Sequence, residues 1–446
     1  MYNIDKQKNG RYAVKKIGSS RASKTFDSYQ EAMIYCTKMN NKKGNSKASN
    51  KNKKTKKNSF KKICLLLLII IVCGISAFVF IKYVKPHINN KSEASEGVIF
   101  DDFQIHFMML GNDNAGDSIY IKAGDTDVII DAGSKQDSSI TTMKYMNKYI
   151  SDGKIEYVIL THGDSDHVSG FTNTSSNKGI LSSYQIDVII DNKLSNKTTK
   201  VYNNYLTLRN ELVNNGTKHY YASDCYNNQN GASREYKLSD KVTMSILYNY
   251  FYFNESKDEN NYSICTMFAY KSDEGTKYFM LTGDLELEGE ENMAQYYDGS
   301  SPEKTLPEVE LFKAGHHGSK TSSNDCLLSI IKPKMSVVSC CCGTDEYTEN
   351  LDNQFPTQQF ISRISKYTDA VYVTSIYASI TLNNNSSTTT IDTKGYKALN
   401  GNIIVSCENS QVGIWASNNL TKLKDTEWFN MKVIVNGKER TMRVWG

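Results

Sequence analysis

The sequence predicts an α/β fold for most of the chain, and three observations carry that prediction. Beyond about residue 100, apolar β-rich runs (DSIYIKA, DVIIDAG, YVILTHG, IDVIID, YFMLTGD, VELFKAG, MSVVSC) alternate with helix-like stretches such as SITTMKYMNKYIS and TKVYNNYLTLRNELVNN. Several of the runs end in Gly or Asp, which puts loops at strand ends, where sites are usually built. Four of the chain's seven histidines lie in two short motifs, each directly after such a run.

The 446 residues exceed one ordinary domain, and their charge is unevenly spread. Residues 1–62 carry 18 Lys/Arg against 3 Asp/Glu, a net +15; of the chain's 53 and 48 this leaves 35 against 45, a net −10, for 63–446. A basic head is thus joined to an acidic body. In the head, 1–40, RYAVKKI and SKTFDS read as short strands and SYQEAMIYCTKM as a helix. Asp27 or Ser28 would cap that helix, with Ala32, Tyr35, Cys36 and Met39 on one face. The stretch NGRYAVKKIGSSRASKTFDSYQEA resembles a small bacterial domain family of unknown function, which implies a β-β-α outline and no activity. Residues 41–62 are Lys/Asn/Ser-rich without apolar period and read as a solvated linker suited to an anionic lipid surface. Nucleic-acid binding is the competing reading of the same charges.

Residues 63–81, ICLLLLIIIVCGISAFVFI, hold no charge. At about 1.5 Å per residue this run crosses a bilayer core of roughly 30 Å. It starts too late and runs too long for an ordinary signal peptide. A buried core helix would show some polar positions. We therefore expect a single transmembrane helix over 63–82. The basic flank NKKTKKNSFKK precedes it, so the N-terminus is expected in the cytoplasm and the acidic body outside, at the cell membrane. The ten cysteines form no CxxC pair; three are consecutive in SCCCG, 339–343, and read as a buried strand end. No protein partner is evident.

The body, 100–397, carries the chemistry. In LTHGDSDHVSG, 160–170, His162, Asp164, Asp166 and His167 sit on the loop after the strand YVIL. Ligands two apart on a turning loop can converge on one point, and the next pair on a second. Two further strand ends supply matching types: YFMLTGD ends at Asp284, and LFKAGHHGSK brings His316 and His317. A polar turn with a capping Asp is the plain alternative for each motif alone; three such ends in one domain favour a metal site. One of His316 and His317 is expected as a ligand, and the sequence does not say which. His87, His106 and His219 have no partners nearby in sequence and read as structural or surface. Beyond 398 the chain reads as a short β-rich tail ending at 446, from which no function is drawn.

These motifs resemble the metallo-β-lactamase superfamily, whose loop reads HxHxDH, and within it the hydrolase domain of ComEC-type competence proteins and its stand-alone relatives. In those relatives the second His of the loop is Asp, as Asp164 is here. The likeness covers about 104–382. IHFMMLGNDNAGDSIYIKAGDTDVIIDAG resembles the opening strands and their IDAG turn, which makes Asp131 a supporting residue. NNYSICTMFAYKSDEGTKYFMLTGDLE and LFKAGHHGSKTSS resemble the segments bearing the GD and HHGS motifs. Where the family often has His-Pro this chain has Phe355–Pro356, and it shows one apolar span where a full ComEC has many.

The resemblance implies an αβ/βα sandwich with two divalent metals at one edge. His162 and Asp164 would hold one metal; Asp166, His167 and one of His316/His317 the other; Asp284 would bridge. Asp166, His162 and Asp284 are accordingly the catalytic candidates, with a metal-bridged hydroxide as nucleophile. Ser319 and Lys320 would steady a substrate phosphate. Histidine favours zinc and carboxylate favours manganese, so either metal is expected. The implied activity is hydrolysis of phosphodiesters, nuclease-like, with DNA as a possible substrate. A body at −10 should repel a polyanion, so an envelope-polymer phosphodiester or a small ester or lactone is the alternative. A metal-stabilised, non-catalytic sensing or binding module is the alternative of another class.

Overall fold

The computed structural model describes residues 2–8, 11–27, 29–41, 95–346 and 348–446. Two compact units emerge, Met1–Asn90 and Lys91–Gly446. Among the described residues no helix is long and apolar enough to cross a membrane. The span expected at 63–82 lies outside the described residues, as does nearly all of the 41–62 linker.

In the first unit β1 (Tyr2–Lys6), β2 (Tyr12–Lys16) and β3 (Ala22–Phe26) form an antiparallel sheet, followed by the helix Tyr29–Asn41. The head is therefore β-β-β-α, which corrects the β-β-α outline. The run YNIDK alternates poorly, and its strand exists because it pairs along the whole of β2. Ala32 and Cys36 of the helix are buried with Val14, and Tyr35 packs against them.

The second unit is built on two sheets. The first has the order β10-β9-β8-β7-β6-β5-β19-β20-β4. Its members are β4 (Ser95–Glu96), β5 (Phe103–Phe107), β6 (Ile119–Ala123), β7 (Thr126–Ile130), β8 (Lys154–Ile159), β9 (Gln185–Asp191), β10 (Lys218–Tyr221), β19 (Ile403–Glu408) and β20 (Gln411–Ala416). The second runs β11 to β18 in chain order. It comprises β11 (Glu235–Lys237), β12 (Val242–Ile246), β13 (Thr266–Ser272), β14 (Gly275–Leu281), β15 (Leu311–Lys313), β16 (Met335–Cys342), β17 (Val371–Asn384) and β18 (Thr389–Ala398). All seven apolar runs singled out in the sequence are strands, and Cys340, Cys341 and Cys342 are buried at the end of β16.

The two-residue period of the strands sorts their side chains into three layers. Ile119, Ile121, Val128 and Ile130 of the first sheet meet Phe268, Phe279, Leu281 and Val337 of the second in one core. Their neighbours Tyr120, Ile129 and Val158 face outward onto the helices Ser138–Met146 and Lys200–Asn214. Met280, Phe312 and Val338 face the other way, onto the helices Leu287–Tyr296, Asp325–Ile331 and Gln358–Ile364. Helix, sheet, sheet, helix is the αβ/βα sandwich. Parallel pairing of β7 with β8 and of β14 with β15 brings their C-terminal ends to the edge where the candidate residues lie.

Residues 398–446 are β-rich as expected, yet they belong to the same compact unit. β19 pairs with β5 over five residues and with β20 in turn. Without β19, β5 would leave a row of unpaired amides at the sheet edge.

Candidate metal centre

The loop after β8 is fixed by residues distant in sequence. Thr161 donates its backbone N–H to Asp131 Oδ1 at 2.8 Å and its hydroxyl to Oδ2 at 2.7 Å. Asn192 Nδ2 donates to the Thr161 carbonyl at 3.0 Å. Glu259, buried, accepts from the Gly163 amide at 2.9 Å and from Ser195 Oγ at 2.7 Å. Gly116 has φ +152°, and a Cβ there would fall 2.5 Å from the Asp166 carbonyl, so only glycine lets the chain bring Asp117 alongside.

On this frame Asp166, His167, Asp284 and His317 each place one donor atom within 4.8 Å of the others. Asp284 Oδ2 lies 3.1 Å from Nε2 of His167 and 3.1 Å from Nε2 of His317. Nε2 of His317 is 3.4 Å from Asp166 Oδ2. Both imidazoles are aimed by their other nitrogen: His167 Nδ1 bonds Asp131 Oδ2 at 2.7 Å, and His317 Nδ1 donates to the Ser339 carbonyl at 2.8 Å. That arrangement fixes the tautomer with Nε2 facing the centre, as for metal-bound imidazole. Asp131, His316 and His317 all have positive φ (58°, 45°, 52°), a conformation uncommon outside glycine that recurs at functional sites.

The electrostatics demand cations. Burial opposes charge on His167, but Asp284 and Asp131 outweigh it and hold its pKa well above the usual value. His317 is pushed up to about 10, against its burial, by Asp284 and Asp166. Asp284 is held well below the carboxylate range despite burial, by His317, Lys313 and His167. Asp166 is likewise held low, against its burial, by His167 and His317. Metal–ligand bonds of about 2.0–2.2 Å put adjacent donors roughly 3.0–3.5 Å apart, the spacing found around Asp284. His162 adds a buried Nε2 without a hydrogen-bond partner among the described residues, 3.6 Å from Asp164 Oδ2. The residues fit divalent cations.

Of the candidates from sequence, the four-donor cluster unites Asp166, His167, Asp284 and His317, with Asp131 behind His167. His162 and Asp164 stand beside it as a two-donor pair, and Asp164 is ion-paired with Lys197. His316 stands outside the four-donor cluster, with its Nδ1 3.1 Å from Glu286 and 3.0 Å from Thr321 Oγ1. Ser319 is buried, 3.0 Å from Thr321 Oγ1, while Lys320 is exposed and donates to Asn353 at 2.9 Å. Two residues escape the sequence reasoning. Asp117 lies just before β6, 2.5 Å from Lys313 Nζ and 3.7 Å from His317 Nδ1. Lys313, fully buried at the end of β15, also donates to Asp284 Oδ1 at 3.0 Å and to the Gly283 carbonyl at 2.9 Å. A lysine closing the apolar run LFK just before AGHHG was the available signal.

Comparison with known proteins agrees with this geometry. Residues 111–177 match the model of the metallo-beta-lactamase superfamily. Recombination protein 2 of Haemophilus influenzae is 29% identical over 111 residues, which make up 25% of this chain and 12% of that protein. Solved structures that align include the Cronobacter sakazakii metallo-beta-lactamase with the HARLDQ motif (TM-score 0.27, 11% identity, 50% of this chain and 79% of that one). Another is a probable metal-dependent hydrolase from Staphylococcus aureus (TM-score 0.26, 13% identity, 44% and 78%). The matched segment holds the whole THGDSDH loop. The chain thus carries, over residues 111–177, a match to the metallo-beta-lactamase superfamily, beside a sequence likeness to Recombination protein 2.

Proposed function

We propose that the unit Lys91–Gly446 is a metal-dependent phosphodiesterase, nuclease-like in its chemistry, working with two divalent cations, zinc or manganese. The observation that carries this reading is the convergence of Asp166, His167, Asp284 and His317 at metal-ligand spacing. In this reading Asp166, His167 and His317 hold one cation, His162 and Asp164 the other, and Asp284 is shared. When bound, the cations lower the pKa of a water and take up charge developing on the attacked group. The chain's own groups do the positioning. Asp131 and the Ser339 carbonyl keep the Nε2 atoms of His167 and His317 turned to the centre. Ser319 and Lys320 steady a phosphate oxygen, one from the buried start of the turn and one from its exposed rim. The name of the Haemophilus relative, a recombination protein, supports a nucleic-acid substrate. The net −10 of residues 63–446 favours the second reading, hydrolysis of an envelope-polymer phosphodiester or a small ester or lactone.

The same proposal places the protein at the cell membrane, anchored by 63–82, with its N-terminus in the cytoplasm and the hydrolase outside. Its support is the uncharged run and the basic flank before it. A membrane-impermeant amine label applied to intact cells should reach lysines of the acidic body; an unlabelled body would refute this placement.

The activity is tested with the purified full-length chain. Bound metal is counted, and turnover of bis(p-nitrophenyl) phosphate and of linear and circular DNA is followed with and without added zinc or manganese. Metal-dependent cleavage that Asp166→Ala abolishes without unfolding the protein is expected. Turnover of the small diester without DNA cutting would move the substrate to the second reading. Absence of any metal-dependent turnover would overturn the hydrolase proposal.

A further inference from the structure

The two candidate cation positions are not alike. Around the first, Asp284 offers Oδ2 to the Nε2 atoms of His167 and His317 at 3.1 Å each. The second would be built from His162, Asp164 and the shared Asp284, and both of its carboxylates already touch a lysine. Lys313 Nζ is 3.0 Å from Asp284 Oδ1 and 2.5 Å from Asp117 Oδ2, at a side chain with no solvent exposure. Lys197 Nζ is ion-paired with Asp164 Oδ1, and its side chain is 28% exposed. Meanwhile His162 Nε2 is buried, without a hydrogen-bond partner among the described residues, and 3.6 Å from the other Asp164 oxygen. One donor of the second position is thus left without a hydrogen bond, while the other is held by an ammonium group from the same chain.

We infer that Lys197 is a built-in competitor for the second cation: it neutralises Asp164 when only the first position is filled and must be displaced for the second to fill. This rests on the proposed metal-dependent reading of the site. A dication arriving at His162 and Asp164 has to break the Lys197–Asp164 contact, and the displaced ammonium remains tethered nearby as a like charge. Lys313 adds a second positive charge that cannot leave, because it is buried and fixed by Asp117 and the Gly283 carbonyl. The Asp at position 164 gives that competition its strength. A neutral imidazole there would not attract a lysine, whereas a carboxylate does. Lys197 is placed to do this by its own loop, where its amide donates to Ser195 Oγ at 3.1 Å and Ser195 bonds Glu259 at 2.7 Å, the same Glu259 that accepts from Gly163. The competitor and the metal loop are therefore anchored on one buried carboxylate. Filling of the second position then depends on free metal concentration, and the displaced Lys197 is left beside the centre where an anionic substrate oxygen would sit.

The test is metal binding by the full-length chain, stripped of metal and equilibrated by dialysis against a series of free zinc or manganese concentrations, with bound metal counted per chain. Two classes are expected in the wild type, the second filling at free metal at least about tenfold higher than the first. Lys197→Met, which keeps the apolar stem and removes the charge, should tighten the second class about tenfold or more and leave the first unchanged. Asp164→Asn should remove the second class alone, with circular dichroism and melting temperature reporting that each variant is folded. Two metals taken up together with one affinity by the wild type would overturn the inference, as would a second class that does not respond to Lys197→Met. Neither result touches the hydrolase reading, which fails separately if the wild type takes up no metal at all.

Discussion

His167 Nδ1 lies 2.7 Å from Asp131 Oδ2, although the two residues sit on different strand ends and Asp131 reaches this position only in a left-handed conformation (φ 58°). The same carboxylate takes the amide and hydroxyl of Thr161, so one side chain fixes both the ring and the start of the loop that carries it. Asp131→Asn tolerates the backbone and keeps the shape but can no longer stabilise that imidazole as a donor from Nδ1. Metal affinity should fall about 10–100-fold. Bound metal at limiting free concentration checks this; an unchanged affinity would mean that Asp131 serves the fold alone.

Lys313 is a fully buried ammonium in contact with both Asp117 and Asp284. Truncating one partner of a buried pair leaves the others uncompensated, at a cost of roughly 3–5 kcal/mol. Lys313→Met should lower the urea midpoint of the metal-free protein accordingly. Lys313→Met combined with Asp117→Asn should recover part of that loss, because one of the two stranded carboxylates becomes neutral. If the double variant is no more stable than the single, the cost lies in packing rather than in charge.

The metal-free protein should also show a specific pH dependence. His317 has its folded pKa raised from an ordinary 6.5 to about 10, and His167 is raised as well. A raised base gives stability that is complete below the unfolded value and is lost as pH climbs through the folded one. Asp284 and Asp166 are depressed, so their contribution is present above the ordinary carboxylate value of 3.8 and is lost as pH falls toward their lower folded values. Melting temperature in chelator should therefore peak between about pH 4.5 and 6.5 and decline toward pH 10. Metal binding replaces those imidazole protons, so the alkaline decline should flatten once metal is present and protons should be released on binding. A metal-free protein equally stable at pH 6 and pH 9 would contradict this.

How much of the site was visible beforehand follows from its geometry. The strand-end motifs were legible because each packs its ligand types within a few residues after an apolar run, as in YVILTHGDSDH. The choice between His316 and His317 was not, because both adopt left-handed backbone, and only the fold decides that His317 meets Ser339 while His316 meets Glu286. Asp117 and Lys313 were harder to read for another reason. Each is a lone residue beside a strand, and their 2.5 Å contact joins positions nearly two hundred residues apart. The α/β alternation was legible in the apolar runs and the sandwich was what the family resemblance implied, yet the closure of the first sheet followed from neither. β19 pairs with β5 across about three hundred residues, and no local pattern in IIVSCE says which edge it will cover.

Lys320 supplies the last prediction, since its place in the proposed site differs from that of the buried ligands. Its ammonium is exposed and, among the described residues, bonded to a neutral partner, Asn353 Oδ1 at 2.9 Å, so it can turn toward a phosphate at little cost. An exposed charge of this kind attracts and orients a polyanion without tuning the chemistry, and its effect is screened by salt. Lys320→Ala should therefore raise KM for DNA several-fold at low salt, leave kcat within about twofold, and leave bound metal unchanged. The difference from wild type should shrink as ionic strength rises, because each phosphate contact contributes about one unit to the salt dependence of binding. If instead kcat collapses while KM holds, Lys320 acts on the reacting phosphate itself, and the rim of the site reaches closer to the cations than its contact with Asn353 implies.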